Sequence, residues 1–204
     1  MTRELPNPHS AFSLLPSPHD ALLLVSFGGP EGPDEVGPFL ERVAQGRKIP
    51  AERLEEVAHH YELFGGLSPL NAENRALLAA LIAELNAHGP RLAVYWGNRH
   101  GHPLLSDTVQ QMAEDGVRRA LAFVTSVFGS YPSCRQYRED IEQARQDVGP
   151  LAPTIDKLRL SYNHPGFIEA AADRVEAAVA KLPLERREAA RLVFTAHGIP
   201  TAMA

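Results

Sequence analysis

Residues 21–30 read ALLLVSFGGP. Five apolar residues, Ala21 to Val25, run without a polar break, and the chain then meets Ser26, Phe27 and Gly28-Gly29-Pro30. A strand with one wet face alternates apolar and polar residues. A short continuous apolar run that stops on glycine and proline predicts instead a strand covered on both faces, as in a parallel sheet. Two later runs have the same form: Leu92-Ala93-Val94-Tyr95-Trp96, ended by Gly97-Asn98, and Ala120-Leu121-Ala122-Phe123-Val124-Thr125.

Helix-period segments separate these runs. Val36, Phe39, Leu40 and Val43 share one face, a second helix is expected over 51–64, and an Ala/Leu-rich helix over 71–88. Asn71 reads as the cap of that third helix and Gly89-Pro90 as its stop. Further helices are expected over 103–115, 133–147 and 166–181, with two more strands at Leu158-Arg159-Leu160 and Leu192-Val193-Phe194-Thr195. Strands alternating with helices give an α/β fold, a parallel sheet with right-handed crossovers. The expected organisation is a flexible, proline-rich leader over 1–19 and an α/β region over 20–152. Past Gly149-Pro150 and Pro153, a strand-helix-strand over 153–204 ends on a strand.

Bulk properties exclude several functions. The chain has 204 residues, 44% hydrophobic and 22% charged, which suits a packed core. A net charge of −5 without a basic run argues against nucleic-acid binding. No stretch has the ~18 apolar residues of a membrane span, and no signal peptide is visible. A single cysteine, Cys134, makes no internal disulfide and suits the cytoplasm.

In an open parallel sheet, ligands bind beyond the C-terminal ends of the strands. That selects Ser26–Pro30, Trp96–His100, Ser126–Tyr131 and Ala196–Gly198, and the loop Phe64-Gly65-Gly66-Leu67-Ser68-Pro69-Leu70 can join them. Gly28-Gly29-Pro30 lacks both the GxGxxG pattern and the lysine-serine pair of a phosphate loop, so it reads as a tight strand-to-helix turn. The same lack counts against a flavodoxin-like nucleotide binder. Ser26, Ser68 and Ser130 have no nucleophile elbow around them. His100 and His102 are too few for a zinc site, and His59-His60 read as helix surface. Phe27, Tyr61, Phe64, Trp96, Phe128 and Tyr131 all fall near strand ends or these loops, a clustering that suits a flat apolar ligand. His197, placed at a strand end, can bind a metal or take a proton near neutral pH.

Six ordered blocks carry a resemblance: LLLVSFGGP at 22–30, YELFGGLSPLN at 61–71, YWGNR at 95–99, CRQYRED at 134–140, YNHPGF at 162–167 and FTAHGIP at 194–200. Together they resemble the ferrochelatase family, and within it the coproporphyrin-type branch of actinobacterial character. The resemblance covers about 20–204. It implies two similar Rossmann-like lobes around a porphyrin cleft, the first over 20–152 and the second begun by the strand-helix-strand of 153–204, and a lyase that inserts Fe²⁺ into the macrocycle during haem biosynthesis. The substrate would be coproporphyrin III, ahead of protoporphyrin IX.

By this resemblance His197 is the active-site histidine and meets the iron. Tyr61, Ser68, Ser130 and Tyr131 map to loops that contact the macrocycle or its propionates. Arg47 and Arg99 are the candidates for propionate pairing, because a guanidinium matches carboxylate geometry. Phe27 stands where many coproporphyrin-type members have a metal-facing tyrosine, so no axial bond is expected there. Some members hold a [2Fe–2S] cluster on one internal and three C-terminal cysteines. Cys134 resembles the internal ligand, and this chain alone is not expected to hold the cluster. The family also pairs its histidine with a second-lobe glutamate that would lie beyond residue 204. The alternative expectation is therefore a catalytically incomplete tetrapyrrole-binding fragment, with exposed sheet edge favouring self-association.

Overall fold

The computed structural model describes residues 17–46, 49–195 and 201. His197, Arg47 and most of the 1–19 leader lie outside the described residues. The chain divides into two compact units, 17–125 with 139–158, and 126–138 with 159–195 and 201.

The first unit is built on a four-stranded, all-parallel sheet in the order β2-β1-β3-β4. Strand β1 (Ala21–Ser26) is buried at all six positions, as its unbroken apolar run predicts. It pairs with β2 (Ala93–Asn98) on one side and β3 (Arg119–Val124) on the other. The fourth strand, β4, is Thr154–Lys157 and pairs with β3. It replaces the strand expected at Leu158–Leu160: Pro153 ends the preceding turn, and Thr154 and Ile155 already satisfy the open edge of β3.

Three helices separate β1 from β2: α1 (Pro33–Ala44), α2 (Ala51–Glu62) and α3 (Leu70–His88). Helix α4 (Leu105–Glu114) leads to β3, and α5 (Gln136–Val148) precedes β4. Adjacent residues of β2 show how the layers stack, since successive side chains of a strand point to opposite faces. Trp96 lies under the Arg75 guanidinium of α3, 5.5 Å from the ring centre. A Cβ on Gly97 would sit 2.9 Å from Thr108 Oγ1 and 3.0 Å from the Leu105 backbone, both on α4. Helices thus cover both faces, and Gly97 is the residue that lets α4 approach. Leu105, Val109 and Met112 of α4 and Ile141 and Ala144 of α5 complete the core. Val36, Phe39 and Leu40 of α1 form a second cluster with Phe27, Leu54, Val57 and Tyr61.

Two loops cross beyond the C-terminal end of the sheet. The Arg99 amide donates to the Ser26 carbonyl and the His100 amide to the Phe27 carbonyl, each at 3.0 Å. Gly28 turns with φ +79°, and a Cβ on Gly101 would lie 2.8 Å from the Gly29 nitrogen. The turn reading of Gly28-Gly29 holds, and the backbones meet too closely for any side chain.

The second unit holds one wide helical turn, Tyr131–Arg135, then α6 (Pro165–Ala180) and the short α7 (Leu184–Arg187). His164 caps α6 by accepting from the Gly166 amide at 3.2 Å. The strand expected at Leu192–Thr195 is not formed. Those residues take no regular structure and have no strand partners among the described residues, and Leu192, Val193 and Phe194 are exposed. A strand needs a neighbour to take its N–H and C=O groups, whatever its side chains prefer.

The contrast between the units sets two predictions. Met112 is 0% exposed, so Met112→Ala should lower unfolding stability by about 2–5 kcal/mol in urea titration. Ile168 is 52% exposed, and Ile168→Ala should change it by less than about 0.5 kcal/mol. Gly101→Ala should force the β1 and β2 loops apart and lower the melting temperature by several degrees, roughly the effect of 1–3 kcal/mol of overpacking.

Candidate functional site

The site of the first unit begins with a lip. Helix α2 ends at Glu62, and Leu63, Phe64 and Leu67 then stand in solvent, Phe64 at 75% exposure. Gly65 and Gly66 reverse the chain with φ +69° and +73°. A Cβ on Gly66 would come within 2.5 Å of the Pro33 backbone, so the lip rests directly on the start of α1. The lip is stitched to the β1 loop by the Ser68 amide, which donates to the Pro30 carbonyl at 2.9 Å, and by a bridge between Glu31 and Leu67.

Between lip and helix lies a groove of about 470 Å³ lined by His60, Tyr61, Phe64, Leu67, Ser68 and Pro69. Its lining is aromatic and apolar, with two hydroxyls. Tyr61 is half-buried against Phe39, ring centres 5.9 Å apart, and burial holds its phenol above the usual tyrosine range. The Ser68 hydroxyl accepts from the Leu70 amide at 3.3 Å, and its side chain fills the space that a Cβ on Gly29 would need. Tyr61 and Ser68, singled out in the sequence, thus share one groove. His59 and its neighbour His60 are exposed on α2, as expected for helix surface.

Phe27 sits at the end of β1, half-buried. Its ring meets His100 edge-on at 4.7 Å and Phe39 at 6.1 Å, and the Arg99 guanidinium lies 5.7 Å from its centre. Arg99 differs from the expectation for a propionate-pairing cation. Its side chain is only 4% exposed and its Nε donates to the Asp140 carboxylate of α5. A guanidinium so placed is already neutralised inside the protein.

Three buried asparagines brace the loops from behind, and sequence reading missed their role. Asn71 is not a cap: Pro69 precedes the helix, and Asn71 is turned inward, donating through Nδ2 to the Gly29 carbonyl at 3.1 Å and the His102 carbonyl at 3.3 Å. Asn74 donates to the Ser26 hydroxyl at 2.8 Å, and Asn98 donates to His102 while accepting from the Trp96 indole. The available signal was two asparagines three apart in an otherwise Ala/Leu-rich helix, which places both on one face. Glu31 and Arg75 pair through two bonds of 2.5 and 2.7 Å, and Arg75 holds the Glu31 carboxyl below the usual carboxylate range.

The remaining candidates lie in the second unit. The Ser130 hydroxyl accepts from the Ser133 amide and shares a 2.8 Å bond with the Ser133 hydroxyl, so it caps the wide turn. Tyr131 packs under the Arg135 guanidinium at 5.8 Å, and Phe128 meets Phe167 edge-on at 6.3 Å. Cys134 is half-buried on the same turn. Among the described residues, no three His, Cys, Asp or Glu side chains converge as a metal site would need.

A sequence model of the ferrochelatase family matches residues 19–204. The chain is 57% identical over 183 residues to the coproporphyrin III ferrochelatase of Nocardia farcinica, covering 90% of this chain and 52% of that protein. It is 54% identical to the coproporphyrin III ferrochelatase of Streptomyces coelicolor, covering 92% and 51%. It is 52% identical to the ferrochelatase of Rhodopirellula baltica, covering 92% and 53%. The chain spans about half the length of these relatives. A match that runs through the lip, both crossing loops and the second unit at this identity is decisive for descent, and the chain belongs to the ferrochelatase family.

Proposed function

We propose that this chain carries the porphyrin-binding lobe of a ferrochelatase-type lyase, which inserts Fe²⁺ into coproporphyrin III during haem biosynthesis. The observation that carries the reading is the groove between Tyr61 and Pro69, an aromatic wall with neutral hydroxyls at the C-terminal end of a parallel sheet. A flat tetrapyrrole with carboxylate arms asks for that combination: apolar contact for the rings and hydrogen-bond donors at the rim. The names of the relatives support coproporphyrin III over protoporphyrin IX.

Insertion exchanges two pyrrole protons for one Fe²⁺, with no change of oxidation state. A base must take those protons and a ligand must deliver the iron, and imidazole suits both tasks. His197 is assigned that role, and iron is a substrate rather than a resident cofactor. Phe27, Tyr61 and Ser68 are assigned to contact with the macrocycle or its rim and Arg47 to a propionate, and the resemblance assigns Ser130 and Tyr131 to porphyrin-binding loops as well. Residues 153–204 are assigned to the start of a second lobe similar to the first. No helix among the described residues is long and apolar enough to cross a membrane, and a cytoplasmic setting is proposed. The second reading is a tetrapyrrole-binding chain without turnover, which the groove at Tyr61 and Ser68 supports by itself.

Anaerobic absorbance of the purified chain with coproporphyrin III and Fe²⁺ separates the two. Growth of the iron-porphyrin spectrum above a protein-free control supports the enzyme. A bound but metal-free spectrum supports the binding reading. His197→Ala should reduce the insertion rate by at least about 100-fold while changing porphyrin affinity less than about threefold. Equal losses in both would remove His197 from the chemistry.

A further inference from the structure

We propose that Asp140 is a positioning residue of the porphyrin site, holding the Arg99 guanidinium against the ring of Phe27. The inference rests on the porphyrin-binding reading above and extends it to a residue on α5, a helix that contributes nothing to the lip or the groove.

The argument starts from burial. A guanidinium stays charged at any working pH, so a side chain only 4% exposed must be compensated where it sits. Asp140 supplies the opposite charge through a hydrogen bond to Nε. That bond fixes more than a charge. The guanidinium is planar and rigid, so gripping one edge sets the position of the whole fork. The fork lies 5.7 Å from the centre of the Phe27 ring, within cation–π range. Backbone bonds hold the same neighbours, since the Arg99 and His100 amides donate to Ser26 and Phe27.

From Phe27 the contact continues outward. Its ring meets Phe39 at 6.1 Å, and Phe39 meets Tyr61 at 5.9 Å, on the wall of the groove. Asp140, Arg99, Phe27, Phe39 and Tyr61 therefore form a chain of touching groups from α5 to the site. Displacing the first member removes the charge that grips the guanidinium edge, and the half-buried ring loses one of the contacts that set its angle. Phe27 carries no polar atom, so its only means of orienting a macrocycle is the position of its ring.

The test is a double-mutant cycle read by fluorescence titration of coproporphyrin III into the full chain. Asp140→Asn removes the charge and preserves the shape. It should weaken binding about tenfold, Phe27→Ala should do likewise, and Asp140→Asn should add less than about twofold once Phe27 is gone. Asp140→Glu should restore most of the affinity. A residue that merely stabilised the fold would lower the melting temperature and penalise binding equally in both backgrounds. Equal penalties, or affinity indifferent to Asp140→Asn, overturn the proposal.

If the unaltered chain binds no porphyrin, the functional reading fails. The positioning is then judged by the Arg99 Nε proton in nitrogen-15 spectra. It should be protected from exchange and shifted by the Phe27 ring. Phe27→Ala should move that resonance, and Asp140→Asn should lose it to exchange. A resonance unmoved by the first or persisting in the second overturns the proposal.

Discussion

Everything at the candidate site hangs from the end of β1. The strand is buried along its length and paired on both sides, so its C-terminus is fixed from two directions. Its last carbonyls do not stop at the sheet edge. The Ser26 and Phe27 carbonyls are taken by the Arg99 and His100 amides as the β2 loop turns across. A buried carbonyl left without a donor would cost on the order of 1–3 kcal/mol, so this hand-over is a requirement of burial as much as a contact. Gly28 and Gly101 follow from it, because the two backbones are too close for a Cβ between them, and Gly29 leaves room for the Ser68 side chain.

The lip depends on the same anchor. Ser68 binds the Pro30 carbonyl, and Gly66 lies on the Pro33 backbone, four to seven residues beyond β1. The exposed Phe64 and Leu67, which line the groove, are thus carried on a base bonded to the β1 loop. Asn71 and Asn74 of α3 then tie the helix behind the lip to both crossing loops. Polar residues are used here because the groups they must satisfy are backbone carbonyls and a hydroxyl, which no apolar side chain can serve.

The parallel sheet was legible because its signal is local. An unbroken apolar run between turn residues has few readings, and β1, β2 and β3 lie within two residues of their expected limits. The helices were legible from period and stop signals, Gly89 after α3 among them. What failed was anything set by a neighbour in space. Leu158–Leu160 and Leu192–Thr195 have strand composition, but strands are made by partners: Thr154–Lys157 pairs with β3, and of the two expected runs Leu158 alone adds a bond to it, through its amide. Asn71 has the composition of a cap, yet its amide is drawn inward by two carbonyls, one 42 and one 31 residues away in sequence. The wide turn ahead of α5 carries no period of its own.

Arg99 shows the same limit in the chemistry. An arginine beside a candidate cleft suggests an anionic ligand, and that inference holds only if the guanidinium faces outward. Three arginines around the end of β1 are turned to internal use. Arg42 of α1 donates to the His100 carbonyl at 2.6 Å, Arg75 of α3 grips Glu31, and Arg99 after β2 grips Asp140 on α5. Each joins segments that are distant in sequence. A guanidinium suits this task, since one planar fork can hold two acceptors at set angles. Positive charge in this lobe therefore acts first as rigidity: it fixes α1, α3 and α5 around the crossing loops, and through Phe27 it reaches the ring that borders the site.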